Sequence, residues 1–216
     1  MWLNRLEHKY GRYCIRGLTK YLVVGRIIMY LLITAFPTAF WTLFFAPLSR
    51  AAVMQGQVWQ LLTFVITPPA SSAFWFLVDA YFFYMIGSAL EDVWGDFKFN
   101  VFILLSMAAA IISCVLTGVG TAGYLSTLMF IAYATYFPRQ TMLVFFVLPV
   151  QAKYLGIAAG ILLLISFLGG SLATKVNILF ACGALLVFFG KGLIQTITNE
   201  IRYAQNRRRW KNANRR

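Results

Sequence analysis

Gly120-Thr121-Ala122-Gly123 stands between two apolar runs, roughly 97–117 and 122–137, and opens the second of them. Crossing a bilayer core as a helix takes about 20 apolar residues. Stretches of that kind recur along the chain, at roughly 21–45, 73–90, 97–117, 122–137, 152–169 and 176–197. Hydrophobic residues make up 61% of the chain and charged ones 12%, and the mean hydropathy is +0.74. Too little polar sequence remains to cover a water-soluble helical domain. The expected fold is an all-α integral membrane protein with six transmembrane helices in one membrane domain, 21–197. A basic segment, 1–20, precedes it, and a basic tail, 198–216, follows. No linker, low-complexity tract or internal repeat interrupts it.

The charge distribution sets the expected orientation. Of the nineteen lysines and arginines, all but Arg50 and Lys175 fall on one side of a six-span layout. Arg26, at the start of the first span, is counted there with the N-terminal cluster. Positive residues flank membrane helices on the cytoplasmic side, so both termini are expected in the cytoplasm, in either a bacterial inner membrane or an endoplasmic reticulum membrane. The first span is too long for a cleavable signal peptide and follows polar and basic residues. The net charge of +13 is read as topology-setting flanks that meet anionic lipid head groups, and no nucleic-acid partner is expected. Cys14, Cys114 and Cys182 are odd in number and lack metal-like spacing, so they read as small apolar packers. No cofactor or metal is expected.

Between the first two spans, Met54, Val58, Leu61, Leu62 and Val65 follow helical spacing with glutamines opposite. Such a segment is expected to lie in the membrane interface. The second span closes on Gly87-Ser88-Ala89-Leu90-Glu91, where small residues permit close helix contact in lipid and Glu91 can accept hydrogen bonds from a neighbouring loop. After Phe137-Pro138-Arg139, the run Met142 to Val150 is too short to cross and is expected to pack at the cytoplasmic interface.

Taken in order, these pieces resemble the rhomboid superfamily. Gly56-Gln57-Val58-Trp59-Gln60-Leu61-Leu62-Thr63 is similar to that family's first-loop signature, Gly-Gln-x-Trp-Arg-Leu-Leu-Thr, with Gln60 in the arginine position. Gly87 to Glu91 with Trp94-Gly95 resembles the end of rhomboid span 2. Phe137-Pro138-Arg139 with Val147 to Val150 and Tyr154 resembles the segment joining spans 4 and 5. Gly120-Thr121-Ala122-Gly123 resembles the nucleophile motif Gly-x-Ser-Gly, with Ala122 where the serine stands. Asn177 to Gly183 resembles Asn-x-x-His-x-x-Gly of span 6, which sets Phe180 at the histidine; a shift of one residue sets Ala181 there. The span 2 residues that help hold the oxyanion fall on Trp75 and Asp79.

The resemblance therefore implies a six-helix rhomboid-like bundle without its catalytic residues. A serine hydroxyl is a poor nucleophile until a base takes its proton. The chain's one histidine, His8, lies before the first span. Ser126 and Thr121 lie near Ala122, and a lysine base such as Lys175 would be the remaining route to a dyad. Asp79, an ionisable residue within a span, faces protein interior or a watery cavity on general grounds. It reads either as a polar contact for a bound helix or as a hydrogen-bonded structural group, with Trp75 one turn away on its face. Gly120, Gly123, Gly87, Glu91, Trp59 and Gly183 are the motif residues expected to shape the fold.

What the resemblance implies for function is a derlin-like membrane pseudoprotease. It would bind transmembrane helices of client proteins without cleaving them, as in their quality control or degradation. The alternative is an active rhomboid-family serine-type endopeptidase with displaced catalytic residues.

Overall fold

A computed structural model of the chain describes residues 7–36, 48–68, 72–121, 123–144 and 148–186. Ala122, most of the C-terminal basic tail's approach and the tail itself lie outside the described residues, as do 37–47 at the end of the first expected span. The described chain is mostly helical. Helices α1 (Leu18–Ala35), α2 (Arg50–Met54), α3 (Gln60–Thr63), α4 (Ala73–Trp94), α5 (Asp96–Thr117) and α6 (Gly123–Tyr136) come first. A ribbon of β1 (Thr141–Val144) and β2 (Leu148–Gln151) follows, then α7 (Ala152–Gly169) and α8 (Leu172–Leu186). Among the described residues, four helices, α1, α4, α5 and α7, are long and apolar enough to cross a membrane. α6 has 14 residues and, at 1.5 Å per residue, runs only about 21 Å.

Two elements differ from the sequence expectation. The interfacial segment is two short helices, α2 and α3, parted by a turn at Gln55-Gly56, and its faces are mixed, with Val65 buried beside Gln60. Met54, Val58 and Leu62 point outward, whereas Gln60 is 1% exposed. In a lipid-facing layer the polar side chain is the one that needs protein partners. Gln60 has them: its Oε1 accepts the Ser49 amide at 3.4 Å and its Nε2 donates to Gln57 Oε1 at 2.7 Å. The second difference is the run after Pro138, which departs from an all-α fold. It forms an antiparallel hairpin in which Thr141 pairs with Gln151 and Met142 with Val150. Pro149 is accommodated because a two-stranded ribbon leaves each strand a free edge.

The helices converge on α6. Leu128, Met129, Ala132 and Tyr133 of α6 are buried among Phe83, Ile86 and Leu90 of α4 and Phe99, Phe102 and Ile103 of α5. Trp94 closes one end of this core, edge-on to Phe102 at 5.5 Å and to Tyr136 at 6.0 Å. At that same end α1 is fastened through its first turn. The amides of Leu18 and Thr19 donate to the Glu91 carboxylate at 2.8 and 3.4 Å. The Gly17 amide donates to Asp96 at 3.3 Å, and Asn100 both accepts from and donates to the Ile15 backbone. A helix start carries amides with no intrahelical acceptor, and here span 2 supplies the acceptor from the side. Gly87 makes the approach possible: a Cβ there would stand 2.6 Å from Thr19 Cγ2.

Candidate functional site

A basic and an acidic side chain meet inside the bundle. Arg26 stands in the apolar sequence Val23-Val24-Gly25-Arg26-Ile27-Ile28 of α1, and Asp79 in Leu77-Val78-Asp79-Ala80 of α4. Arg26 Nη1 lies 3.2 Å from Asp79 Oδ2, with the side chains 3% and 33% exposed respectively. The Arg26 guanidinium also covers the Phe83 ring, 3.8 Å from its centroid, and reaches the Val65 carbonyl oxygen at 3.5 Å. A charge this far from water is retained only when an opposite charge and hydrogen bonds offset its desolvation. The carboxylate does so from one side and the aromatic face from the other. By sequence Arg26 counts with the N-terminal basic cluster; in the structure it is buried in the bundle.

Asp79 borders two cavities at once. One, of about 400 Å³, is also lined by Arg26, Thr67, Gly120, Thr121, Ser126 and Thr127. The other, of about 470 Å³, runs between α4, α6 and α7, with Asp79, Ser126 and Thr127 at its polar end. Tyr124 and Ser166 also border it, and the rest of its wall is apolar, formed by such residues as Phe82, Phe83, Phe130, Leu155, Leu162 and Leu163. The α7 side of this cleft is held at one end. Ala152 is fully buried and Gly156 is pressed against Ala134 of α6, whereas a Cβ at Gly160, one turn further on, would meet nothing within 4 Å.

The first cavity exists because the chain doubles back before α6. A Cβ on Gly120 would lie 2.9 Å from the Ala110 carbonyl oxygen, 2.9 Å from Leu48 Cδ2 and 3.0 Å from Cys114 Cβ. Ala110 is seven residues before Thr117, so the loop returns about 10 Å along α5 before the next helix begins. The Gly120 amide donates to the Leu48 carbonyl at 2.7 Å, and Ser49 bridges Val119. Arg50 caps the end of α5, its amide donating to the Gly118 carbonyl at 3.0 Å and its Nη1 to that of Val115 at 3.2 Å. A cation there also complements the helix dipole. The start of α6 is thereby recessed below the end of α5, and polar residues of its first turns face the space above.

Other positions singled out in the sequence fall in various places. Ala122 lies outside the described residues, between Thr121, whose hydroxyl accepts the Gly123 amide at 3.1 Å, and Gly123 itself. A Cβ on Gly123 would meet, among the described residues, that hydroxyl at 3.4 Å, an ordinary contact distance, so the close approach belongs to Gly120 and not to both glycines of the motif. Trp75 is 49% exposed at the start of α4, edge-on to Phe74 at 5.6 Å; the space beside Asp79 is walled by Phe82 and Phe83. Phe180 lines an open groove with Leu105, Ala108, Ala109 and Gly183. Ala181 instead faces Thr121, Tyr124 and Leu125, together with Asn177, whose Nδ2 donates to the Val119 carbonyl at 3.1 Å. Of the two span 6 registers, the structure brings Ala181 to the start of α6. Trp59, at the junction of α2 and α3, is more than a third exposed. Lys175 lies in the first turn of α8.

Sequence reasoning missed the Arg26–Asp79 pair. The signal was present: an arginine within an apolar run, and one acidic residue within another. Comparison with protein-family models, with curated proteins and with solved structures finds no match.

Proposed function

We propose that this protein is a rhomboid-like membrane pseudoprotease of six transmembrane helices that binds transmembrane helices of client proteins without cutting them. One observation carries the reading: the cleft between α4, α6 and α7 joins an apolar wall to a polar end at Asp79, Ser126 and Thr127. Lipid tails satisfy the apolar wall alone, whereas a helix satisfies both, because its side chains pack and its polar groups reach the hydroxyls and the carboxylate. α7, anchored by Gly156 and loosely packed beyond it, is the wall that can give way to admit one.

Hydrolysis requires a nucleophile with a base within hydrogen-bond reach. Ser126 borders both cavities, but the ionisable groups lining them are Asp79, Arg26 and Tyr124, none of them a histidine or lysine base. The only histidine, His8, lies ahead of α1. On this reading both termini are cytoplasmic, the basic ends meet anionic lipid, and the bound clients are membrane proteins destined for quality control or degradation.

The test is photo-crosslinking in liposomes from a diazirine amino acid at Leu162, in the cleft wall, and at Leu105, away from it. Client-helix adducts at Leu162 and not at Leu105, with the client intact, are expected. Equal crosslinking at both sites would remove the cleft from the reading. Client cleavage, or fluorophosphonate labelling abolished by Ser126→Ala, would establish the protease alternative in its place.

A further inference from the structure

We infer that the cleft selects client helices bearing a basic side chain, and that Asp79 is the group that reads it. This deepens the client-binding reading and rests on it. The two members of the ion pair are unequally placed. Arg26 is 3% exposed and borders the smaller cavity but not the α4–α6–α7 cleft, stacked on Phe83, with one nitrogen directed at the Val65 carbonyl. Asp79 is in front, a third exposed, at the meeting point of both cavities. The arginine engages its Oδ2, while a carboxylate has room for about four hydrogen bonds. A helix entering the cleft therefore meets the carboxyl group of Asp79 and not the guanidinium of Arg26.

The gain is greatest for a client lysine or arginine. Such a residue is costly within a lipid-exposed helix, and contact with Asp79 relieves part of that cost. The hydroxyls of Thr67, Ser126 and Thr127 border the same space and can take the remaining N–H groups. A client aspartate or glutamate meets like charge in a medium of low dielectric and is disfavoured. Arg26 need not be displaced by the client, because it also holds the Phe83 ring and the Val65 carbonyl.

The geometry also fixes a depth. Asp79 is six residues into α4, about 9 Å from the start of that helix. The selected basic residue is accordingly about six residues from the client helix end on the side where α6 begins.

The experiment uses the full-length protein in neutral phosphatidylcholine liposomes and a fluorescent Leu/Ala host helix of about 23 residues. Leu, Lys or Asp is placed as guest at that depth, and affinity is read by energy transfer. Lysine is expected to bind about tenfold tighter than leucine, and aspartate more weakly than leucine. Moving the lysine to mid-helix should abolish its advantage. Since Asp79→Asn alone strands a buried guanidinium, the variant used is Arg26→Gln/Asp79→Asn, checked for folding by its melting transition; its lysine-to-leucine ratio is expected to fall to about one. Equal affinities for lysine and leucine in the unmodified protein, or a lysine advantage independent of depth, overturn the inference while leaving helix binding intact. Failure of all three guests to bind overturns the client-binding reading itself.

Discussion

Two carboxylates on one helix, Glu91 and Asp79, are satisfied in opposite ways. At the Glu91 end, both oxygens accept backbone amides from the first turn of α1, and Gly87 lets the helices touch. No space is left there for a visitor. At the Asp79 end, twelve residues away, one arginine engages the carboxylate, and two cavities open beside it. The difference separates a fastening from a site. A group whose hydrogen-bonding capacity is used up by the fold holds the fold, while one left partly unused is available to a ligand.

The largest expected effect breaks the Asp79 end. Asp79→Asn leaves a nearly inaccessible guanidinium without its counter-ion, and loss of one partner of a buried pair costs about 4 kcal/mol. Arg26→Gln leaves a carboxylate that already borders a cavity, so its cost is about 2 kcal/mol. Unfolding titrations in bicelles would show the asymmetry. Equal losses would mean that both charges are equally buried.

At the other end, Glu91→Ala removes the acceptor of two amides that have no other, at an expected cost of about 3 kcal/mol. Glu91→Gln keeps one side-chain oxygen and should cost about 1 kcal/mol. Hydrogen exchange at Leu18 and Thr19 should accelerate with the first substitution well before it does elsewhere. Client-helix affinity, measured below the melting transition, should change little, because Glu91 lies outside both cavities. A loss of affinity matching that of Asp79 variants would erase the distinction between the two ends.

Gly120→Ala probes what creates the cavity. Its Cβ would press on a backbone oxygen, which cannot swing aside as a side chain can, and overpacking of this kind costs about 2 kcal/mol. The expected structural consequence is a shift of the Leu48 loop, visible as altered accessibility of a cysteine introduced at Thr67.

Much of the bundle was legible in the sequence because span-length apolar runs are a one-dimensional signal. Residues 97–117 and 152–169 foretell α5 and α7 to within one residue. Which side chains of the segment between the first two spans turn inward was less legible, because periodicity shows which residues share a face but not what that face meets; Gln60 went inward with Val65. The hairpin at 141–151 was hidden because a short apolar run broken by proline has no period to read. Arg26 was misassigned because a positive charge near a helix start fits the topology rule, and only a partner in another span reveals it as buried.

The smallest effects concern the register of α8. Ala181 faces a space of about 20 Å³ beside Thr121, Tyr124 and Leu125, far too small for a phenyl ring. Ala181→Phe should therefore cost about 1.5 kcal/mol through displacement of the start of α6, and with it narrow the cavities bordered by Ser126. Phe180 lines an open groove beside Ala108 and Ala109, where a lipid chain can occupy vacated volume. Phe180→Ala should cost about 1 kcal/mol, well below the 3–5 kcal/mol of a core phenylalanine. If Phe180 instead held the position facing α6, the order of the two losses would invert. That inversion would return the span 6 register to Phe180 and remove Ala181 from the wall beside Gly120.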